Sequence, residues 1–125
     1  MGLGLRTAVA NLDFETTLNG TVAIVAPTGE LDLSGATVLE AELLRLAREP
    51  GLDTVVLDLR GLEFLDSSGL RLVVVADMRA REAGRRFALV RGAETVHRVF
   101  DITRMTDRLD FVADPDEVTE EAPRS

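Results

Sequence analysis

The α/β character of this chain is clearest in residues 54–70, which read TVVLDLRGLEFLDSSGL. Residues 54–59 are almost entirely apolar, as expected of a strand that is buried on both faces of a parallel sheet. The motif DSSG at residues 66–69 then precedes a long apolar-rich segment, which is typical of a helix start. The stretch therefore predicts a strand, a connecting loop over 61–66 and a helix that begins beside the two serines.

The segment after the serines, residues 70–82, is predicted to be helical. Its three consecutive valines alone would favour a strand, but the run up to Gly84 is longer than a typical strand. Leu70, Val74 and Met78 share one face of this helix. Downstream, the sequence predicts a strand over 86–90, a helix over 93–100 with Val96, Val99 and Phe100 inward, and a short extended segment over 110–113.

Upstream, residues 12–18 and 21–28 are two β-prone runs joined by Asn19-Gly20. Asn-Gly tolerates the positive φ values of a type I′ turn, so this pair predicts a β-hairpin. A helix is predicted from Ser34 to about residue 48, with a stripe of leucines on one face. The capping-box spacing of Thr37 and Glu40 leaves a later start open.

The order of these elements predicts one α/β domain over residues 12–113. Its sheet is expected to be mixed and mostly parallel, with an N-terminal β-hairpin and with helices packed on the sheet. A chain of 125 residues is the usual size of a single domain. Residues 1–11 are predicted to be a leader. Residues 114–125, which are acidic and carry two prolines, are predicted to form a short helix at most, followed by a disordered tail.

Composition excludes several classes of function. The formal net charge of −8 argues against a nucleic-acid partner, because such a chain repels phosphate backbones. All 14 basic residues are arginines, so no lysine is present for a phosphate-binding loop or a Schiff base. There is no cysteine for a disulfide, a thiolate nucleophile or a metal site. No membrane span and no secretory signal are predicted, so the protein is expected to be cytoplasmic.

Enzymatic interpretations find little support. A hydrolase triad of Ser67, His97 and Asp66 lacks the nucleophile elbow, because neither serine has a glycine two residues before it. Asp58 and Asp66 could form a carboxylate pair, and Asp58 stands where a receiver domain has its phosphoacceptor. That site also needs an early acidic pair and a late lysine, and both are missing. Without a His or Cys cluster, no metal site is predicted.

Two interpretations of the serine pair remain open on the residues alone. Ser67 or Ser68 could be the N-cap that accepts hydrogen bonds from the first backbone N–H groups of the helix. One of them could instead be a phosphoacceptor, since a phosphate at a helix N-terminus meets unpaired N–H donors and the positive end of the helix dipole.

A resemblance to a known family favours the second interpretation. Residues 59–70, LRGLEFLDSSGL, resemble the central signature of the STAS domains of bacterial anti-sigma factor antagonists. Residues 29–32, GELD, and residues 96–103, VHRVFDIT, are similar to two further family segments in the same order and spacing. The resemblance covers about residues 12–113. It departs at Arg104, where the family often has a glycine, so the local turn is expected to differ.

The resemblance implies a non-enzymatic, partner-switching regulator of transcription, of the kind that serves stress response or sporulation. In this family the unphosphorylated antagonist binds an anti-sigma factor that is also a serine kinase, and the sigma factor is released. The kinase phosphorylates the antagonist, and a PP2C-type phosphatase reverses the modification. ATP and Mg²⁺ belong to the kinase, so no cofactor is expected in this chain.

Carried over residue by residue, the resemblance makes Ser67 the phosphoacceptor and Ser68 its cap-forming neighbour. Asp32 and Asp66 would flank the acceptor, and these four residues with Gly69 would form the partner-binding surface. The alternative is a STAS module that is never phosphorylated and serves as a structural or regulatory subunit of a larger signalling or lipid-transport assembly. The intact serine pair favours the switch.

Overall fold

The computed structural model describes residues 4–9 and 11–121, which form one seven-stranded sheet and four helices. In chain order the elements are β1 (Gly4–Val9), β2 (Leu12–Asn19), β3 (Val22–Leu31), α1 (Leu33–Leu46), β4 (Thr54–Asp58), β5 (Gly61–Leu65), α2 (Ser67–Glu82), β6 (Arg86–Val90), α3 (Glu94–Ile102), β7 (Asp110–Val112) and α4 (Pro115–Glu121). Within the described part of the chain, no helix is long and apolar enough to cross a lipid bilayer.

The sheet runs in the order β1-β2-β3-β4-β6-β7, and β5 pairs with β3 outside this path. The pairs β1–β2 and β2–β3 are antiparallel, whereas the pairs β3–β4, β3–β5, β4–β6 and β6–β7 are parallel. The predicted fold class, a mixed sheet with an N-terminal hairpin and helices packed on it, is therefore confirmed. The hairpin turn lies one residue later than predicted, because Asn19 pairs with Val22 around Gly20 and Thr21.

On the side away from β2, strand β3 has two parallel partners along its length. Val22–Val25 pairs with β4, and the stretch from Thr28 to Leu31 pairs with β5. The prediction of a loop over 61–66 is therefore wrong. The strand is hard to recognise in the sequence because a register shift at β3 breaks its alternation, which leaves Leu62 and Leu65 buried but Phe64 exposed.

The N-terminal end of the chain differs from the prediction, whereas the C-terminal end contains the short helix that was predicted at most. In place of a leader, β1 pairs with residues 12–17 of β2 and covers most of what would otherwise be a free sheet edge. At the C-terminal end the short helix is present: residues 115–121 form α4, whose Val118 is buried against Val56 and Val90. The tail has enough apolar surface for this packing despite its acidic composition. Residues 1–3, 10 and 122–125 lie outside the described residues.

The main core lies between the sheet and the helices α1, α2 and α3. In β4, Val55 and Leu57 face this core, whereas Val56 faces the smaller cluster under α4. The leucine stripe of α1 and the inward Val96 and Phe100 of α3 are buried as predicted. Val99 is half-buried against the same core.

Helix α2 has two apolar stripes, and only one of them faces the sheet. On the face shared by Leu70, Val74 and Met78, Leu70 is half-buried against the core, whereas Val74 and Met78 are exposed. Both stripes are apolar at helical spacing, so periodicity alone could not decide between them. The buried residues of α2 are Gly69, Leu72, Val73, Ala76 and Ala80.

Candidate functional site

Helices α1 and α2 begin side by side at the carboxyl edge of the sheet. Leu31 of β3 and Leu65 of β5 are paired and buried, and the Asp66 N–H donates to the Leu31 carbonyl at 3.3 Å. Asp32 and Asp66 come next on the two strands, each with an extended backbone, and the helices start one residue later. Ligands and partners of α/β folds gather at this edge, beyond the carboxyl ends of the strands.

Asp66 is the N-cap of α2. Its Oδ1 accepts hydrogen bonds from the backbone N–H groups of Ser68 at 2.9 Å and Gly69 at 3.2 Å. The prediction that Ser67 or Ser68 caps the helix is therefore wrong, and Ser68 is a donor to the cap through its backbone. A carboxylate in this place has the added advantage of its negative charge at the positive end of the helix dipole.

The cap leaves the hydroxyl of Ser67 free. Ser67 is the first residue of α2 and is exposed, whereas Ser68 is half-buried. Among the described residues, none hydrogen-bonds to the Ser67 Oγ atom. The site thus presents the unengaged Ser67 hydroxyl to solvent at a helix N-terminus that already carries a carboxylate cap.

Asp32 caps α1 in the same way. Its Oδ1 accepts from the Ser34 N–H at 3.1 Å and from the Ser34 Oγ at 2.7 Å. The hydrogen bond from the Ser34 hydroxyl is the largest influence that holds the pKa of Asp32 below its ordinary value. The helix therefore begins at Leu33, earlier than either predicted start, because the carboxylate outcompetes Ser34 and Thr37 for the capping role.

Gly69 has a packing role at the site. It is buried, and a Cβ atom built on it would lie 2.8 Å from Leu65 Cγ and 3.0 Å from Leu31 Cγ. The missing side chain lets the first turn of α2 approach the paired ends of β3 and β5. Of the five predicted site residues, Ser67 is exposed and Gly69 buried, and the remaining three, Asp32, Asp66 and Ser68, are half-buried.

Leu33 belongs to the same edge, although sequence reasoning missed it. It occupies on α1 the place that Ser67 occupies on α2, and its side chain is 72% exposed. Its only sequence signal is that it falls outside the leucine stripe of α1. An exposed leucine at a helix start beside a free hydroxyl makes this edge partly apolar.

The residues considered for catalysis are engaged elsewhere. Asp58 is buried and forms a two-pronged ion pair with Arg60, with Nε–Oδ1 at 3.0 Å and Nη2–Oδ2 at 2.9 Å. His97 is buried in α3 against Phe100 and Phe111. Among the residues that the structure describes, no group of three His, Asp or Glu side chains could hold a metal ion.

The turn after α3 keeps a left-handed geometry in spite of the substitution noted in the sequence. Arg104 adopts φ 63°, and the Met105 N–H donates back to the Phe100 carbonyl at 2.8 Å. The chain holds an arginine in a conformation that favours glycine.

Comparison with known proteins places this fold and site in context. Residues 14–113 match the family model described as "Mlab, STAS domain". The anti-sigma-B factor antagonist of Bacillus subtilis (strain 168) is 31% identical over 103 residues, which are 82% of this chain and 93% of that protein. The anti-sigma-B factor antagonist of Staphylococcus aureus (strain NCTC 8325) is 29% identical over 97 residues, or 78% and 89% of the two chains.

Solved structures agree in fold. An anti-sigma factor antagonist from Mycobacterium paratuberculosis superposes with a TM-score of 0.79 at 19% identity, over 90% of this chain and 95% of that one. The Bacillus antagonist SpoIIAA superposes in its unphosphorylated form with a TM-score of 0.75 at 18% identity, over 90% and 98%, and in its phosphorylated form with 0.68 at 19%, over 86% and 96%. The chain therefore belongs to the STAS domain family, in which its curated relatives are anti-sigma factor antagonists.

Proposed function

We propose that this chain is an anti-sigma factor antagonist that phosphorylation of Ser67 switches off. Unphosphorylated, it binds an anti-sigma factor that is also a serine kinase, and the sigma factor is released. One observation carries the proposal: Asp66 caps α2 through its side chain, so the exposed Ser67 hydroxyl is not needed for the fold. The family membership and the names of the curated relatives support the same conclusion.

The fold can carry a phosphate on Ser67. The N-terminus of a helix carries the positive end of the helix dipole, which favours an anion. The nearby Asp66 carboxylate opposes this effect, but it is bound to two backbone amides and half-buried. We therefore expect the modified chain to remain folded.

The partner surface responds differently to the modification. Phosphorylation adds roughly −1.5 to −2 charges at pH 7, next to two aspartates on a chain whose net charge is −8. A partner surface that fits a neutral hydroxyl would then face a dianion. Like-charge contacts at an interface cost several kcal/mol, and about 1.4 kcal/mol is a tenfold change in affinity. Occupancy can therefore switch without a change of fold.

The phosphoryl donor and the reset enzyme are separate proteins in this proposal. The kinase transfers the γ-phosphoryl group of ATP to Ser67 Oγ, ADP leaves, and the hydroxyl proton passes to a base of the kinase. Mg²⁺ and ATP are bound by the kinase, and a PP2C-type phosphatase hydrolyses the phosphoserine. The antagonist acts in the cytoplasm and supplies only the hydroxyl and the surface around it.

Phosphopeptide mass spectrometry on the protein from its own cells, with and without stress, tests the proposal. Cleavage after Arg60 and Arg71 releases residues 61–71, whose only hydroxyl side chains are Ser67 and Ser68. A modification at Ser67 whose fraction changes with conditions supports the switch. A peptide that is unmodified in every condition favours the alternative, a constitutive subunit of a larger signalling or lipid-transport assembly.

A further inference from the structure

Helix α2 presents a second apolar stripe to solvent, in line with Ser67. Val74 and Met78 follow Ser67 at spacings of seven and four residues, so all three lie within roughly 20° of one line along the helix. Val74 and Met78 are 38% and 44% exposed. This α2 ridge, defined as Ser67, Val74 and Met78, extends about 16 Å from the hydroxyl.

The far end of the ridge borders an open groove. Val74 and Met78 form one wall, and Met105 and Leu109, from the segment after α3, line the other. The groove has a volume of about 560 Å³, enough for one or two large side chains of a partner. Two of its four apolar residues are methionines, whose flexible thioethers adapt to different ligand shapes. The left-handed turn at Arg104 leads directly into this segment.

The charged side chains beside the ridge are of both signs, and the groove itself is lined by Asp77, Arg81, Glu82 and Arg108. Arg71 pairs with Glu40 of α1 at 3.5 Å, and Arg81 pairs with Asp77 at 3.0 Å. In both pairs the guanidinium is far more exposed than the carboxylate. A partner that covers the ridge therefore meets an apolar strip beside the exposed guanidinium groups of Arg71 and Arg81, with Glu82 as the exposed acid of the groove, on a chain with a net charge of −8.

These observations favour a heterologous partner over a second copy of this chain. A two-fold dimer through the ridge would set the same arginines against one another, which is unfavourable. A segment that contacts the Ser67 hydroxyl and follows the exposed face of α2 must continue over Val74 and Met78. The fitting chemistry is an amphipathic helix with large apolar side chains and acidic residues along its edges.

We infer that the α2 ridge and its groove are the second half of the docking surface for the anti-sigma factor, where they receive an apolar, acid-flanked helix of that protein. The inference rests on the proposed function, because it takes Ser67 as the other end of the same interface. In this inference Ser67 controls whether the partner binds, and the ridge provides most of the apolar contact with it.

Binding measurements with purified proteins test this inference. The probes are the serine-kinase anti-sigma factors encoded in the source genome, purified one by one. The variants are Val74→Glu and Met78→Glu, with Leu18→Glu as the matched control. Leu18 is 37% exposed but lies next to the β2–β3 turn, at the opposite edge of the sheet from Ser67. Circular dichroism checks that each variant is folded.

We expect Val74→Glu and Met78→Glu to weaken binding at least tenfold, and Leu18→Glu to leave it unchanged. Met78→Ala, which keeps helix propensity, should weaken binding by a smaller factor. A measurement on the wild-type chain needs no variant: oxidative footprinting should find Met78 and Met105 protected in the complex. Arg81→Glu should reduce the affinity further at low salt than at high salt.

The outcomes separate this inference from the proposed function. If both glutamate variants bind with wild-type affinity while Ser67→Asp does not bind, the inference about the ridge is wrong and the phosphorylation switch stands. If no kinase binds the wild-type chain, or if Ser67→Asp binds equally well, the proposed function fails and the ridge with it. A wild-type dimer that Met78→Glu converts to a monomer, with kinase binding unaffected, would assign the ridge to a second copy and also overturn the inference.

Discussion

Asp32 and Asp66 hold equivalent positions in the structure. Each follows one of two paired leucines, on β3 and β5, and each accepts hydrogen bonds from the first backbone N–H groups of the helix that it precedes. The two helices therefore start at the same level of the same sheet edge, with Leu33 and Ser67 as their first residues. After the two capping carboxylates, one helix begins with an exposed leucine and the other with a free serine hydroxyl. The edge is therefore apolar on the side of α1 and polar on the side of α2.

The first prediction concerns the Asp66 cap. Asp66→Ala should lower the free energy of unfolding by about 1 kcal/mol, because the N–H groups of Ser68 and Gly69 lose their acceptor. Asp66→Asn should retain most of the stability, since its side-chain oxygen can still accept. Urea unfolding followed by circular dichroism measures both. Equal stability of the alanine variant and the wild type would contradict the capping role.

The second prediction concerns the switch itself. Ser67→Ala should bind the anti-sigma partner and resist its kinase activity, whereas Ser67→Asp should bind at least tenfold more weakly while it remains folded. Calorimetry and phosphorylation with labelled ATP measure the two effects. Ser68→Ala is the matched control and should still be phosphorylated. If label appears in residues 61–71 of Ser67→Ala, the acceptor is Ser68 and the assignment is off by one residue.

The third prediction concerns Gly69. An alanine at this position would place its Cβ against Leu65 and Leu31, at 2.8 and 3.0 Å from the two Cγ atoms. Overpacking of this kind typically costs about 1–3 kcal/mol. Gly69→Ala should therefore destabilise the chain although it raises helix propensity, and thermal unfolding measures the loss. Ser68→Ala, one residue away, provides the comparison without the overpacking. A stabilised Gly69→Ala would show that the first turn of α2 can move away from the sheet.

Much of the fold can be predicted from the sequence, because in most elements the local sequence pattern and the tertiary packing favour the same structure. The apolar run of β4, the leucine stripe of α1 and the Gly and Pro stops all point to the observed elements. The strands β1 and β5 are harder to predict. β1 and β5 are strands only because β2 and the second half of β3 offer them a partner, and no local pattern reports such a partner.

The sequence motif predicts where the candidate site lies, but it does not predict which side chain caps the helix. The segment 66–69 marked the helix start and the serine, but three adjacent polar residues could each have been the cap. Asp66 takes the role because its backbone is still extended, whereas Ser67 is already helical. The sequence also does not predict which face of α2 is buried. The helix has apolar stripes on two faces, and only its packing against the sheet determines which of them faces the core.

The fourth prediction concerns the left-handed residue after α3. Arg104 at φ 63° carries a conformational cost of about 1–2 kcal/mol that a glycine would avoid. Part of this gain is lost to the greater freedom of glycine in the unfolded chain. Arg104→Gly should therefore stabilise the protein by roughly 0.5–1 kcal/mol. Arg104→Ala removes the charge but keeps the Cβ, so it should give no such gain in urea unfolding. Equal stabilisation by both variants would point to charge as the cause.

The last prediction concerns His97, the one histidine of the chain. Burial, with a smaller effect of the Arg91 charge, lowers its pKa below the ordinary 6.5, and the Asp101 carboxylate, 3.5 Å from Nε2, only partly opposes this. Among the described residues, neither ring nitrogen has a hydrogen-bond partner. Because the unfolded chain binds the proton more readily, stability should be constant above about pH 6.5 and should fall as the pH drops below this value.

His97→Phe is the variant that isolates this effect. The ring already packs against Phe100 and Phe111, with centroids 6.1 and 4.9 Å away, so a phenyl group suits the site without the titrating nitrogens. Its free energy of unfolding should change little between pH 7.5 and 5.5, whereas that of the wild type should decrease. Carboxylates such as Asp32 and Glu42, whose pKa values are lowered by hydrogen bonds, lose their contribution only at more acidic pH. A wild type that gains stability as the pH falls to 5.5 would mean that protonated His97 pairs with Asp101 in the folded state.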